Sequence, residues 1–351
     1  MSRAADESIA GDELTLSEPQ YTLAADIGGT KTLFELGAFD AGGYRSVHAG
    51  HFLNADFTGV AEVTEAFLAT APQRPPTIAS ACLALAGPIV EQRVRFTNLP
   101  WEADARDLAR RLRIGRVEFV NDFAAIGHGI AALTPDELMC LQAGRPDPRG
   151  VRGVLGAGTG LGMVFMVWTG KGYQVVPSEG GKVDFAPINE VQNRLWAYLH
   201  HRMERVGYET LLSGRGMERI YAFLSEADTL RVRSGGAGAA QETPLAAPEI
   251  TARALDGSDP RAMSAITLFL EIYGAAAGNF ALTLLPHGGL YVAGGIAPRL
   301  ASFFAQSAFM DAFCAKGKFA ELLRTIPVHV VMSPDVGLRG AVAVAIAAAS
   351  D

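Results

Sequence analysis

The chain is poor in cysteine, in net charge and in runs of like charge. Its 351 residues hold three cysteines, Cys82, Cys140 and Cys314, far apart and in no CxxC pair. That excludes a disulfide framework or a cysteine zinc site and fits a reducing cytosol. His128, His200, His201, His287 and His329 show no HExxH or comparable ligand spacing, and no Gly-x-Ser-x-Gly elbow occurs. Neither a zinc enzyme nor a serine hydrolase is expected. With 37 acidic against 30 basic residues the net charge is −7, which argues against a nucleic acid or an anionic membrane as the main partner. Residues 1–20 are acidic and lack the apolar segment of a signal peptide, so they are read as a disordered leader. The longest apolar stretch, "AMSAITLFLEIYGAAAGNFALTLL", carries Glu271 and Asn279. It reads as a buried core helix rather than a membrane span.

What is present is a large apolar fraction, 49% against 19% charged, enough for one large core or two lobes. "YTLAAD", "IGGTK" and "TLFELGAF" read as two strands joined by a glycine turn. The layout returns about 130 positions later as "GVLGAG", "TGLG" and "MVFMVW", an internal pseudo-repeat. Between the two lie helices near "VAEVTEAFLATA" and "ADARDLARRL", a buried strand in "TIASACLALAGPI", and the strand "RVEFVND" running into the helix "FAAIGHGIAAL". Alternation of this kind predicts an α/β lobe. Helices dominate after Gly162, a Gly/Ala-rich stretch "RSGGAGAAQETPLAAP" reads as a flexible insertion, and the C-terminal "GLRGAVAVAIAAA" reads as a small-residue helix lying close to a sheet.

Several segments could carry chemistry. In "DIGGTKT", Asp26 ends an apolar strand before Gly28, Gly29, Thr30 and Lys31; glycines admit phosphate oxygens to backbone N–H groups and the acid can hold a hydrated Mg²⁺. "GAGTGLG", with Gly158, Thr159 and Gly160, is a second such cradle, although each alone could be an ordinary hairpin. It does not match G-x-G-x-x-G, since Leu161 stands at the sixth place and a strand follows, and G-K-[ST] is missing. Asn121 and Asp122 stand where a strand meets a helix; Asp122 could take a proton from a hydroxyl nucleophile or merely cap the helix. Glu179, Lys182 and Asp184 in "PSEGGKVDFAP", with Glu209 in "GYETLLSG", could hold a polyol or could be ordinary solvated charges. Gly294 and Gly295 in "GGLYVAGGIAPR" could let a flat ring lie on bare backbone, or form a plain turn.

Taken together, "DIGGTK", "TNLPW", "NDFAAIG", "GAGTGLG", "EGGKVDFAP", "ETLLSG" and "GGLYVAGGIAPR" make the chain, from about Tyr21 onward, resemble the bacterial glucokinase family of the sugar kinase, actin and heat-shock ATPase superfamily. The resemblance implies a two-lobed α/β actin-like ATPase (ribonuclease H-like) fold with a central cleft. A small domain of 21–132 plus 333–351 would face a large domain of 133–332. It implies Mg-ATP-dependent phosphorylation of the glucose 6-hydroxyl by a cytoplasmic homodimer serving glycolysis. Carried over by position, Asp122 resembles the catalytic base; Asn121, Asp122, Glu179, Lys182 and Glu209 fall at sugar positions; Asp26 resembles the acid on the magnesium side, acting through water. Gly28, Gly29, Thr30 and Lys31 match the first phosphate hairpin, Gly158, Thr159 and Gly160 the second, and Gly294 and Gly295 the adenosine loop. The zinc-dependent repressor and kinase family carries a cysteine cluster that this chain lacks.

Lys182 departs from the family, which typically has histidine there. Lysine only donates and is fully charged, so it is expected to donate to a sugar oxygen or to pair with Glu179, at some loss of glucose affinity or with a change of preferred hexose. Two other readings compete: a sugar-sensing regulator with little turnover, and an actin-like or chaperone ATPase indifferent to sugar.

Overall fold

The computed structural model describes residues 19–72, 75, 77–96, 99–233, 245–306 and 308–350. Most of the leader, most of the Gly/Ala-rich stretch, and Thr97 and Asn98 of "TNLPW" lie outside the described residues.

The pseudo-repeat is a duplicated sheet. In the first half, Gln20–Ile27 pairs antiparallel with Lys31–Asp40, which pairs antiparallel with Gly43–Leu53. On its other side Gln20–Ile27 runs parallel to Ile78–Leu85, and that strand parallel to Ile114–Asn121. In the second half, Arg152–Ala157 pairs antiparallel with Leu161–Trp168 and that with Tyr173–Ser178, while Gly289–Ala293 and Val328–Val331 follow in parallel on the other side. One antiparallel strand, Leu138–Gln142, closes the far edge. The expected two-lobed actin-like arrangement is present, each glycine turn joining the first and second strand of its sheet. The third strand of each sheet and a small sheet of Ile89–Val90, Arg93–Arg95 and Glu102–Asp104 complete it.

Both faces of the first sheet are buried, and side-chain size decides what packs on each. Leu23, Ala25, Ile27, Leu83 and Leu85 join Phe34, Phe67 and Trp101 in a bulky core on one face. The alternate residues Ala24, Cys82 and Ala84 are small and meet Ala341, Val342 and Ala345 of the C-terminal helix Val336–Ser350. Small side chains on both partners bring that helix close, and the Ser80 hydroxyl donates to the Ala345 carbonyl at 2.6 Å. The long apolar helix Pro260–Leu284 is long and apolar enough to cross a membrane, yet 72% of its most apolar stretch is buried inside the protein. It forms the spine of the second core, as the sequence reading expected.

The helix Asp122–Gly129 lies between the two halves on a seam of glycines. A Cβ on Gly340 would stand 1.7 Å from the Ala125 carbonyl oxygen, and one on Gly129 would stand 2.0 Å from that of Val336. On the other side the Phe123 ring lies flat against Gly156 and Gly162, where a Cβ would come within 2.8 and 2.0 Å of it. Backbones can approach this closely only where no Cβ intervenes, so the start of the helix, and Asp122 with it, is fixed against both sheets.

Candidate active site

Asp122 opens that helix, but Asn121 is its cap. The Asn121 Oδ1 accepts from the N–H groups of Phe123 at 3.0 Å and Ala124 at 3.3 Å. The sequence alone left Asp122 a candidate for this duty; with Asn121 in the extended conformation of an N-cap, the Asp122 carboxylate accepts a 2.9 Å bond from the Phe123 N–H. Burial pushes its carboxyl up and the Glu179 charge adds to the rise, while hydrogen bonds from the helix start and Asn121 oppose it. A half-buried carboxylate with a raised pKa is suited to taking a proton.

Asp26 lies at the end of Gln20–Ile27, and its carboxyl is pushed up to about 6 by burial and by the Asp122 charge, against the pull of Lys31. A Cβ on Gly337, at the start of the C-terminal helix, would come within 2.8 Å of Asp26 Oδ2. A carboxyl raised by the charge of a second carboxylate suits a hydrated divalent cation, which neutralises charge that neither side chain can dissipate alone. The surroundings of Asp26 therefore fit Mg²⁺.

The first glycine turn is tight: the Gly28 N–H donates to the Lys31 carbonyl at 3.1 Å, and Gly29, Thr30 and Lys31 are exposed at its tip. Asn54, buried and distant in sequence, braces it. Its amide donates to the Gly28 carbonyl at 2.8 Å, its Oδ1 accepts from Thr32 Oγ1 at 2.7 Å, and its N–H reaches the Thr30 carbonyl at 2.9 Å. Sequence reading missed Asn54 and Thr32; a polar residue followed by a short helical turn carried no distinguishing pattern.

In the second turn the Gly158 N–H donates to the Gly160 carbonyl at 2.8 Å. Gly158 and Thr159 face a pocket of about 430 Å³ completed by Gly214, Arg215, Thr251, Gly295 and Arg299, among others. Gly294 stands behind this wall: its φ is +85° and a Cβ would come within 2.6 Å of the Ala157 carbonyl. The loop's first glycine therefore serves backbone contact, and Gly295 is the one that presents bare backbone to the pocket. Gly214 closes "ETLLSG", Arg215 follows it and Arg299 closes "GGLYVAGGIAPR", so those motifs were the available signal.

The segment from Glu179 to Asp184 packs on the second turn. Gly181 is buried against Leu161, so that a Cβ would lie 1.9 Å from its carbonyl oxygen. The glycine thus lets the loop approach the hairpin itself. Glu209 joins the two: its Oε2 accepts from the Leu161 N–H at 3.1 Å and its Oε1 from Lys182 Nζ at 2.8 Å. The expected pairing of Lys182 with Glu179 is corrected here, because the short helical turn Gly180–Lys182 carries the ammonium across to Glu209. Asp184 pairs with Arg205 at 2.7 Å, and Arg205 also donates to the Lys182 carbonyl at 2.9 Å, a structural role.

The structure thus sets Asp122 within electrostatic reach of Asp26 and of Glu179, and Glu209 and Lys182 beside the second turn. A family model described as Glucokinase matches residues 23–348. The glucokinase of Nostoc punctiforme is 41% identical over 332 residues, which span 91% of this chain and 97% of that protein. Among solved structures, a glucokinase from an Antarctic psychrotroph aligns with a TM-score of 0.79 at 31% identity, covering 93% of this chain and 99% of the other. A glucokinase of the ROK family from Streptomyces griseus, in complex with glucose and AMPPNP, aligns with a TM-score of 0.62 at 19% identity over 93% of this chain and 99% of the other, a likeness of fold. This chain belongs to the glucokinase family of enzymes.

Proposed function

We propose that the chain transfers the γ-phosphoryl group of ATP to the 6-hydroxyl of glucose, with Asp122 as general base. The observation that carries this reading is the position of Asp122: its carboxylate, raised by burial and by the Glu179 charge, opens a helix locked between both sheets and raises Asp26 in turn. Family membership and the order of the site segments support it. The sugar hydroxyl gives its proton to Asp122 as its oxygen forms the new bond to phosphorus and the bond to the β-phosphate oxygen breaks, releasing ADP. In-line transfer needs positioning and charge neutralisation above all. Glu179, Glu209 and Asn121 would orient the sugar; the turn at Gly28–Lys31 and that at Gly158–Gly160 would present N–H groups to the phosphates; and the pocket lined by Gly158, Arg215 and Gly295 would take the adenosine. Mg²⁺, when bound near Asp26, supplies charge neutralisation at the phosphate oxygens.

In this reading the small lobe comprises 21–132 with 333–351 and the large lobe 133–332, supported by the packing of the C-terminal helix on the first sheet. A cytoplasmic homodimer belongs to the reading on family resemblance alone. A second reading, a sugar sensor with weak turnover, is favoured by one observation, the ammonium of Lys182 on the Glu209 carboxylate. A panel of hexoses with ATP and Mg²⁺, read as ADP release, separates the two: glucose-dependent ADP supports the kinase, and glucose binding without ADP supports the sensor.

A further inference from the structure

Glu209 has both carboxylate oxygens occupied. Oε2 accepts from the Leu161 N–H of the second turn at 3.1 Å, and Oε1 accepts from Lys182 Nζ at 2.8 Å. The first contact is fixed by close packing, since a Cβ on Gly160 would lie 2.5 Å from Oε2 and Gly181 presses on the Leu161 carbonyl. Oε2 cannot turn away without moving the hairpin. The second contact is loose: the Lys182 side chain is 56% exposed and that of Glu209 35%, so water can replace Glu209 at the ammonium with little loss.

We propose that Lys182 is an internal competitor for the sugar, its ammonium standing where a sugar hydroxyl must donate to Glu209. The inference rests on the reading of Glu209 as a sugar ligand. Sugar binding then includes a displacement: the hydroxyl takes Oε1 and Nζ swings to solvent, while Oε2 stays on Leu161. Lys182 therefore weakens sugar affinity by the strength of the ion pair, while the contact with Leu161 keeps Glu209 in place. Glucose carries no charge, so salt affects its affinity at this residue through the pair it must break.

The test is glucose binding by titration calorimetry without nucleotide, in about 0.05 and 0.5 M salt. The wild type should bind about two- to fivefold more tightly at high salt, the range expected of a partly exposed pair. Lys182→Met should bind two- to fivefold more tightly than the wild type at low salt and lose the salt response, about the same range. Lys182→Arg should restore both wild-type values, and Lys171→Met, which removes an exposed charge elsewhere, should keep them. Equal or weaker binding by Lys182→Met, or an undiminished salt response in it, overturns the competitor. The wild-type salt series needs no variant to fold, and a flat response there also overturns it. Parallel ADP release keeps the two ideas apart: a wild type that binds glucose without turnover contradicts the kinase reading and leaves the binding test decisive for Lys182.

Discussion

Gly181 rests on the carbonyl oxygen of Leu161 at a distance that admits no side chain, a Cβ there falling 1.9 Å from that oxygen. The contact makes the Glu179-bearing loop and the second glycine turn one unit. Gly181→Ala should force the loop off the hairpin and carry Glu179 and Lys182 with it. Overpacking of this kind is worth about 1–3 kcal/mol, so the glucose KM should rise about 5- to 100-fold by the same principle while the ATP KM changes far less. Steady-state kinetics with each substrate varied separately would show it.

The brace at Asn54 gives a prediction for the first turn. Asn54→Ala removes both side-chain bonds that hold Gly28 and Thr32 and leaves the buried Thr32 hydroxyl without its partner. The expected loss is about 2–4 kcal/mol for two buried groups, read as a lower urea midpoint. The KM for ATP should rise more than that for glucose.

Asp26 gives a pH-dependent prediction. Its carboxyl stands at about 6 in the folded chain against an ordinary 3.8, so the folded state holds the proton more tightly than the unfolded one. Its contribution to stability is fully present below 3.8 and lost as pH rises through about 6. Asp26→Asn, neutral throughout, should therefore be more stable than the wild type at pH 7.5, by an order-of-magnitude figure of about 3 kcal/mol. The gain should shrink at pH 5 and vanish below 3.8. Thermal melts at the three pH values test the sign, while turnover in the variant should fall because the acid on the magnesium side is gone.

Gly294 predicts a split in the opposite direction from Gly181. With φ at +85° and the Ala157 carbonyl 2.6 Å from a Cβ position, Gly294→Ala is strained in conformation and in contact. The ATP KM should rise at least about fivefold for a strain of about 1–3 kcal/mol, and calorimetric glucose affinity should stay within about twofold by the same estimate.

The sheets were legible because their signals are local. Apolar strands around "IGG" and "TGLG" show the duplication within a dozen residues each. The site was legible as a set of segments and less so as a set of partners. Asn121 caps the helix that Asp122 could have capped, because two adjacent residues with similar side chains offer the same sequence signal. Lys182 meets Glu209 rather than Glu179 because a single helical turn reverses its direction, and Asn54 reaches Gly28 across 26 positions. Such contacts depend on where two elements stop relative to each other, which composition and spacing do not encode.

The proposed transfer turns on Asp122 as the base. Asp122→Asn keeps the side-chain shape and an oxygen for the Phe123 N–H, and should lower kcat for ATP-dependent glucose phosphorylation by about 10²- to 10⁴-fold, with calorimetric glucose affinity kept within about threefold, well under one hydrogen bond's worth. Turnover within about tenfold of the wild type, below the range for a lost general base, would contradict it.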